Sequence, residues 1–155
     1  MKIGRSYILA SALSASAVLL FGGIALVLMR PAETLEGTLL RPQDAAVVAL
    51  GSEIYAEHCA SCHGANLEGA EASPHDATGH TWQHPDHVLF EMTKFGVSDS
   101  LCFVPRDTGM PVFQSSLSDE EIIAALSFIK SRWPEDMQRQ HDLINDLYAR
   151  TEGRS

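Results

Sequence analysis

Five consecutive residues hold the densest chemistry in this chain: Cys59-Ala60-Ser61-Cys62-His63. The spacing C-x-x-C-H is the attachment pattern of a c-type haem. Haem presents two vinyl groups on one side of its ring, and a thiol adds across each to form a thioether. Thiols three apart on a helical turn project from one face, and the next residue then aims its imidazole at the iron. Covalent attachment also stops an exported cofactor from escaping. Two other uses of a thiol pair stand beside this one. A redox dithiol belongs next to a βαβ pattern, and half of a zinc site needs two further ligands. The only other cysteine is Cys102, and no βαβ pattern is visible. The adjacent histidine therefore favours haem, with Cys59 and Cys62 as its covalent anchors and His63 as the proximal iron ligand.

An iron that only passes electrons needs a sixth ligand. Gly109-Met110-Pro111 lies in a loop-like stretch, and a thioether is a suitable soft ligand that raises the reduction potential. Pro111 would stiffen that loop. Met92 and Met137 are rivals, but both sit in helical patterns. His63, His75, His80, His84 and His87 crowd one short stretch. The last three have metal-ligand spacing, although Pro85 interrupts a common helix. Cys102 reads as a buried small hydrophobe.

These groups need elements to position them. Asp44 caps a helix running to about His58, with Val47, Val48, Ile54 and Tyr55 as apolar positions. Residues 64–84 are rich in Gly, Ala, Ser, Pro and His and read as an irregular loop. Pro85 opens a short helix with Val88, Leu89 and Met92, stopped by Gly96. Residues 97–117 form a second loop. Ser118-Asp119-Glu120-Glu121 is a capping box leading into Ile122, Ile123, Ala125, Leu126 and Ile129, a stripe ended near Pro134. A last helix follows, with Met137, Leu143, Ile144, Leu147 and Tyr148 on one side. No strand pattern persists, so the fold class is all-α. About 90 residues with such long loops bury little core alone, and a tightly held cofactor would fill the interior.

The chain has 155 residues, 20 acidic and 11 basic, with a net charge of −9. Lys2, Arg5 and Arg30 are the only charges in residues 1–30, so residues 31–155 hold 8 basic against 20 acidic groups, a net of −12. Such a surface excludes nucleic acid as a partner. From Tyr7 to Met29 the chain runs 23 residues without a charge, enough for one transmembrane helix. Lys2 and Arg5 place its N-terminus in the cytoplasm and the rest outside. The run is longer than a cleaved signal peptide requires, and Arg30-Pro31-Ala32 makes a poor cleavage site. The organisation expected is an anchor at 1–30, a linker at 31–42, a haem domain at 43–134 and a helical tail at 135–155.

From Gly51 to Trp133 the sequence resembles class I cytochromes c, particularly short membrane-anchored bacterial forms with one haem. The likeness rests on Cys59–His63 followed by Gly64, on Met110-Pro111, and on Gly51 and Tyr55 placed eight and four residues before Cys59. The resemblance implies a helical domain around one covalent haem c. It implies that Gly51 and Tyr55 pack against Phe128 on the last helix of the domain. It implies that the Pro74 carbonyl accepts a hydrogen bond from the ligand imidazole, and that Trp82 donates to a haem propionate or packs half-buried. The family does not account for Cys102, the histidine-rich loop or the tail.

The function expected is single-electron transfer by a membrane-tethered protein with no catalytic residues of its own. Its haem domain would lie on the periplasmic side of the inner membrane. Its partners would be redox proteins of a respiratory chain or a dehydrogenase. Two alternatives belong to other classes. One is an electron-entry subunit of a dehydrogenase or oxidase, or a haem peroxidase, which would need an open iron position. The other is a haem or copper sensor or handling protein using the histidine loop.

Overall fold

A computed structural model describes residues 38–96 and 109–152. The run Tyr7–Met29 and Cys102 lie outside the described residues. The described residues are helical with no strand, in agreement with the all-α expectation, and belong to one compact unit. No helix among them is long and apolar enough to cross a membrane.

Helix α1 spans Ala45–His58. Asp44 caps it, its side chain accepting from the backbone N–H of Ala46 and Val47 at 3.0 and 3.2 Å. Gly51, Ile54 and Tyr55 are its buried residues, spaced for one face. A one-turn helix, α2, covers Ala60–His63, with Cys59 closing α1 and opening α2. The backbone breaks at Cys59 (φ −117°, ψ −36°), which redirects the turn bearing Cys62 and His63. Helix α3 (Asp86–Phe95) begins after Pro85 and ends at Gly96, whose φ of +89° is a left-handed conformation that glycine adopts without strain.

Helix α4 (Asp119–Ser131) is the centre of the fold. The capping box is complete: Glu121 N donates to Ser118 Oγ at 3.3 Å, and Ser118 N donates to the Glu121 carboxylate at 2.8 Å. Ile122 through Ser127, with Ile129 and Lys130, are buried. Helix α1 crosses α4 at Gly51, where an added Cβ would lie 1.9 Å from the Ala124 carbonyl oxygen. Beside that crossing the rings of Tyr55 and Phe128 meet with centroids 5.5 Å apart. Glycine admits the second backbone and the aromatic pair fills the angle, as the resemblance implied.

Helix α5 (Glu135–Glu152) packs on the domain through a polar face. Leu143 and Leu147, on the apolar side read from the sequence, are 62 % and 63 % exposed, while His141 is fully buried and Asn145 nearly so. The reason is a polar partner. Asp86 N donates to Asn145 Oδ1 at 2.7 Å, and Asn145 Nδ2 donates to Asp86 Oδ1 at 3.0 Å. The other Asp86 oxygen accepts from Leu39 N and Leu40 N at 2.7 and 2.9 Å. Lys130, buried on α4, pairs with Asp142 on α5 at 2.5 Å. Paired groups of this kind satisfy one another away from water. Leu40 is itself a core residue, so the end of the expected linker belongs to the globule.

Candidate haem site

Tyr55, near the end of α1, donates its hydroxyl to the Gly64 carbonyl at 2.8 Å, tying α1 to the far end of the C-x-x-C-H turn. Burial, then the neighbouring Cys59 and Glu68, holds its phenol protonated far beyond neutral pH. Cys59 packs against the core, and burial followed by the charge of Cys62 pushes its thiol up to about 11. Reactive redox dithiols have the opposite shift, toward thiolate at neutral pH. The Cys59 shift is thus in the opposite sense to that of a reactive redox thiol.

His63 Nδ1 lies 2.8 Å from the carbonyl oxygen of Ser73. A carbonyl only accepts, so Nδ1 must carry the proton, and in the neutral imidazole Nε2 keeps its lone pair. That is the tautomer an iron ligand requires, with a carbonyl orienting the ring. The accepting carbonyl is Ser73's and not that of Pro74, which the resemblance implied. Backbone bonds set this register: Ala72 N donates to Cys62 O at 3.0 Å and His75 N to Leu67 O at 2.8 Å, turning the carbonyl between them toward His63. The Pro74 carbonyl faces Gly79 instead, where an added Cβ would come within 2.0 Å. Leu67, buried with φ +72°, takes a strained conformation to offer its carbonyl to both His75 N and Asp76 N.

Trp82 sits half-buried against the core in a 3₁₀ turn, Thr81–Gln83, and its Nε1 donates to Gly79 O at 3.1 Å. Met110 is half-buried against the same core as Cys59 and Trp82. Gly109, immediately before it, has φ +67°, and the chain after it is fastened to α3 by Phe113 N to Thr93 O at 3.3 Å and Gln114 N to Lys94 O at 3.0 Å.

The loop histidines separate. His75 stacks on His63 and hydrogen-bonds Thr81 Oγ1 at 2.7 Å. Burial, then His63 and His80, pushes it down to about 3. His80 and His84 meet edge to face, whereas His87 turns away to stack on Tyr148 of α5. Burial, then His80, lowers His84. Among the described residues no group of three or more His, Cys, Asp or Glu side chains converges to hold a metal ion. The sequence reading missed Ser73, because every residue carries a carbonyl and no side chain marks the one that is used. It also missed the pairing of Asp86 with His141 and Asn145, whose only mark is two polar residues at helical spacing among apolar ones.

Two thiols bracketing one helical turn, a histidine in the metal-binding tautomer and a methionine on a shared apolar core fit a covalently held haem. The sequence model described as Cytochrome c matches residues 48–133, more than half of the chain, and the chain belongs to that family. No curated protein and no solved structure shows a significant match to the chain. Membership implies covalent haem c and a haem-based electron carrier.

Proposed function

We propose that this chain is a membrane-tethered cytochrome c with one haem that passes single electrons between redox proteins on the periplasmic face of the cytoplasmic membrane. The observation that carries the reading is the His63 imidazole of the C-x-x-C-H turn, its Nδ1 bonded to the Ser73 carbonyl so that Nε2 keeps its lone pair. Bound there, haem supplies a one-electron iron couple. Cys59 and Cys62 would hold its ring, with His63 and Met110 as the residues that would ligate the iron. Ser73 orients the imidazole, and Tyr55 fixes the turn on which it stands. The apolar core that Cys59, Trp82 and Met110 pack against would shield a bound haem from water. With both His63 and Met110 holding the iron, the site would suit electron transfer and not peroxide chemistry.

The tether rests on the uncharged run Tyr7–Met29 behind Lys2 and Arg5. Anchoring raises the effective concentration of membrane-bound donors and acceptors. A net charge of −12 on residues 31–155 calls for partners with basic docking faces. The test is a pyridine haemochrome spectrum of the purified protein, with membrane fractionation of the expressing cells. One haem per chain with both vinyl groups saturated, retained in the membrane fraction, is expected. Haem extracted by acidified acetone would overturn the covalent site, and protein released without detergent would overturn the tether.

A further inference from the structure

His75 is the unusual residue of the site. Its ring lies face to face with that of His63, centroids 3.9 Å apart and planes 21° from parallel. Its ring and backbone make four further contacts. Its Nδ1 hydrogen-bonds Thr81 Oγ1 at 2.7 Å, its N–H donates to Leu67 O at 2.8 Å, and its carbonyl accepts from Trp133 Nε1 at 2.7 Å. The Tyr55 ring meets its edge at 6.5 Å and 71°. The Ser73 hydrogen bond fixes His63 at one atom only, which leaves the imidazole free to tilt about that contact. The flat His75 ring stacked against its face, itself bonded to Thr81 and edged by Tyr55, restricts that freedom.

We propose that His75 is a positioning residue for the axial ligand, its clamped ring setting the plane of the His63 imidazole over the haem. The proposal rests on His63 being an iron ligand. The plane of an axial imidazole determines how two of the iron d orbitals split in energy, so a fixed plane gives one sharp low-spin ferric signal. A side chain that merely fills volume would have no such effect.

The experiment compares the electron paramagnetic resonance spectrum and midpoint potential of the full-length ferric holoprotein with those of His75→Phe, His75→Leu and Thr81→Val. His75→Phe keeps a flat ring and is expected to retain the parent g-values. His75→Leu keeps bulk without a face, and its largest g-value is expected to shift by more than the linewidth, with a change in potential. Thr81→Val leaves the ring but frees its anchor, and is expected to broaden the signal. If His75→Leu fails to mature with haem, the broadening in Thr81→Val carries the test alone. Parent-like spectra and potentials in both Thr81→Val and any mature His75→Leu would overturn the positioning role. A parent without a low-spin histidine-ligated signal would instead overturn the ligand assignment itself.

Discussion

Gly51→Ala offers a test in which two physical effects have opposite signs. Within a helix interior, alanine is preferred to glycine by about 0.5–1 kcal/mol, so propensity alone predicts a more stable protein. At Gly51 the new methyl would lie 1.9 Å from the Ala124 oxygen, 2.5 Å from the Ala124 carbonyl carbon and 3.0 Å from the Phe128 Cβ. The first two are backbone atoms of a buried helix and cannot rotate away. Reaching ordinary contact, from 3.4 Å upward, requires α1 and α4 to separate. A gap of roughly 1 Å already forfeits up to half of a dispersion contact, and the separation needed here is larger. Overpacking a core costs about 1–3 kcal/mol, and the rigid neighbours place this site at the upper end. The net expectation is a loss of about 2 kcal/mol, read as a fall of roughly 8 °C in Tm for a domain of this size. The assay is thermal unfolding of the holoprotein followed by circular dichroism, with the exposed neighbour Ser52→Ala as control. Ser52→Ala is expected to leave Tm unchanged or raise it slightly. A Gly51→Ala protein as stable as the parent would refute the close crossing of α1 and α4.

Three further outcomes follow from the same geometry. Met110→Ala is expected to lower the midpoint potential and abolish the methionine-to-iron charge-transfer band, while Met110→His keeps a low-spin spectrum at a lower potential; a parent-like spectrum in Met110→Ala would remove Met110 as ligand. Trp133→Phe strands the His75 carbonyl that its indole N–H serves, and urea unfolding should show a loss of about 1–3 kcal/mol. His141 is held below the ordinary histidine value by burial and then by Lys130, against the opposing pull of Asp86 and Asp142. Below about pH 6.5 the unfolded chain takes up a proton that the folded chain resists, so stability falls as pH falls. His141→Gln should flatten that dependence by up to one proton, about 1.4 kcal/mol per pH unit, and parallel stability curves for parent and variant would refute it.

The parts of this fold that show in the sequence are those set by local chemistry. Asp44, Ser118 with Glu121, and Gly96 act within a few residues of themselves, so the helix ends they mark were readable. Cys59–His63 is readable because two covalent bonds and one metal bond dictate its spacing. Gly51, Tyr55 and Phe128 were found through a family pattern, since nothing local reveals that Gly51 faces Ala124. The identity of the carbonyl serving His63 was not readable, as it depends on backbone bonds from Cys62 and Leu67 that reach across the loop. The inward face of α5 was not readable for a related reason. Hydrophobic periodicity assigns the buried side by apolarity, yet α5 meets the buried carboxylate of Asp86, and a carboxylate selects His141 and Asn145 over Leu143 and Leu147.

That choice of face bears on the haem site. The matched family segment ends at residue 133, but the globule does not. The segment from His75 to Asp86 has only one short 3₁₀ turn to hold it, and three attachments from beyond α4 supply what regular structure does not. Trp133 binds the His75 carbonyl, His141 Nε2 donates to the His84 carbonyl at 2.9 Å, and Asn145 exchanges two hydrogen bonds with Asp86. The first of these reaches the residue whose ring lies on His63. Hydrogen-bonded anchors are directional where apolar contacts are not. If His75 sets the plane of His63 as proposed, its loop is better served by such anchors than by a greasy face, which gives a physical reason for α5 to turn its leucines outward.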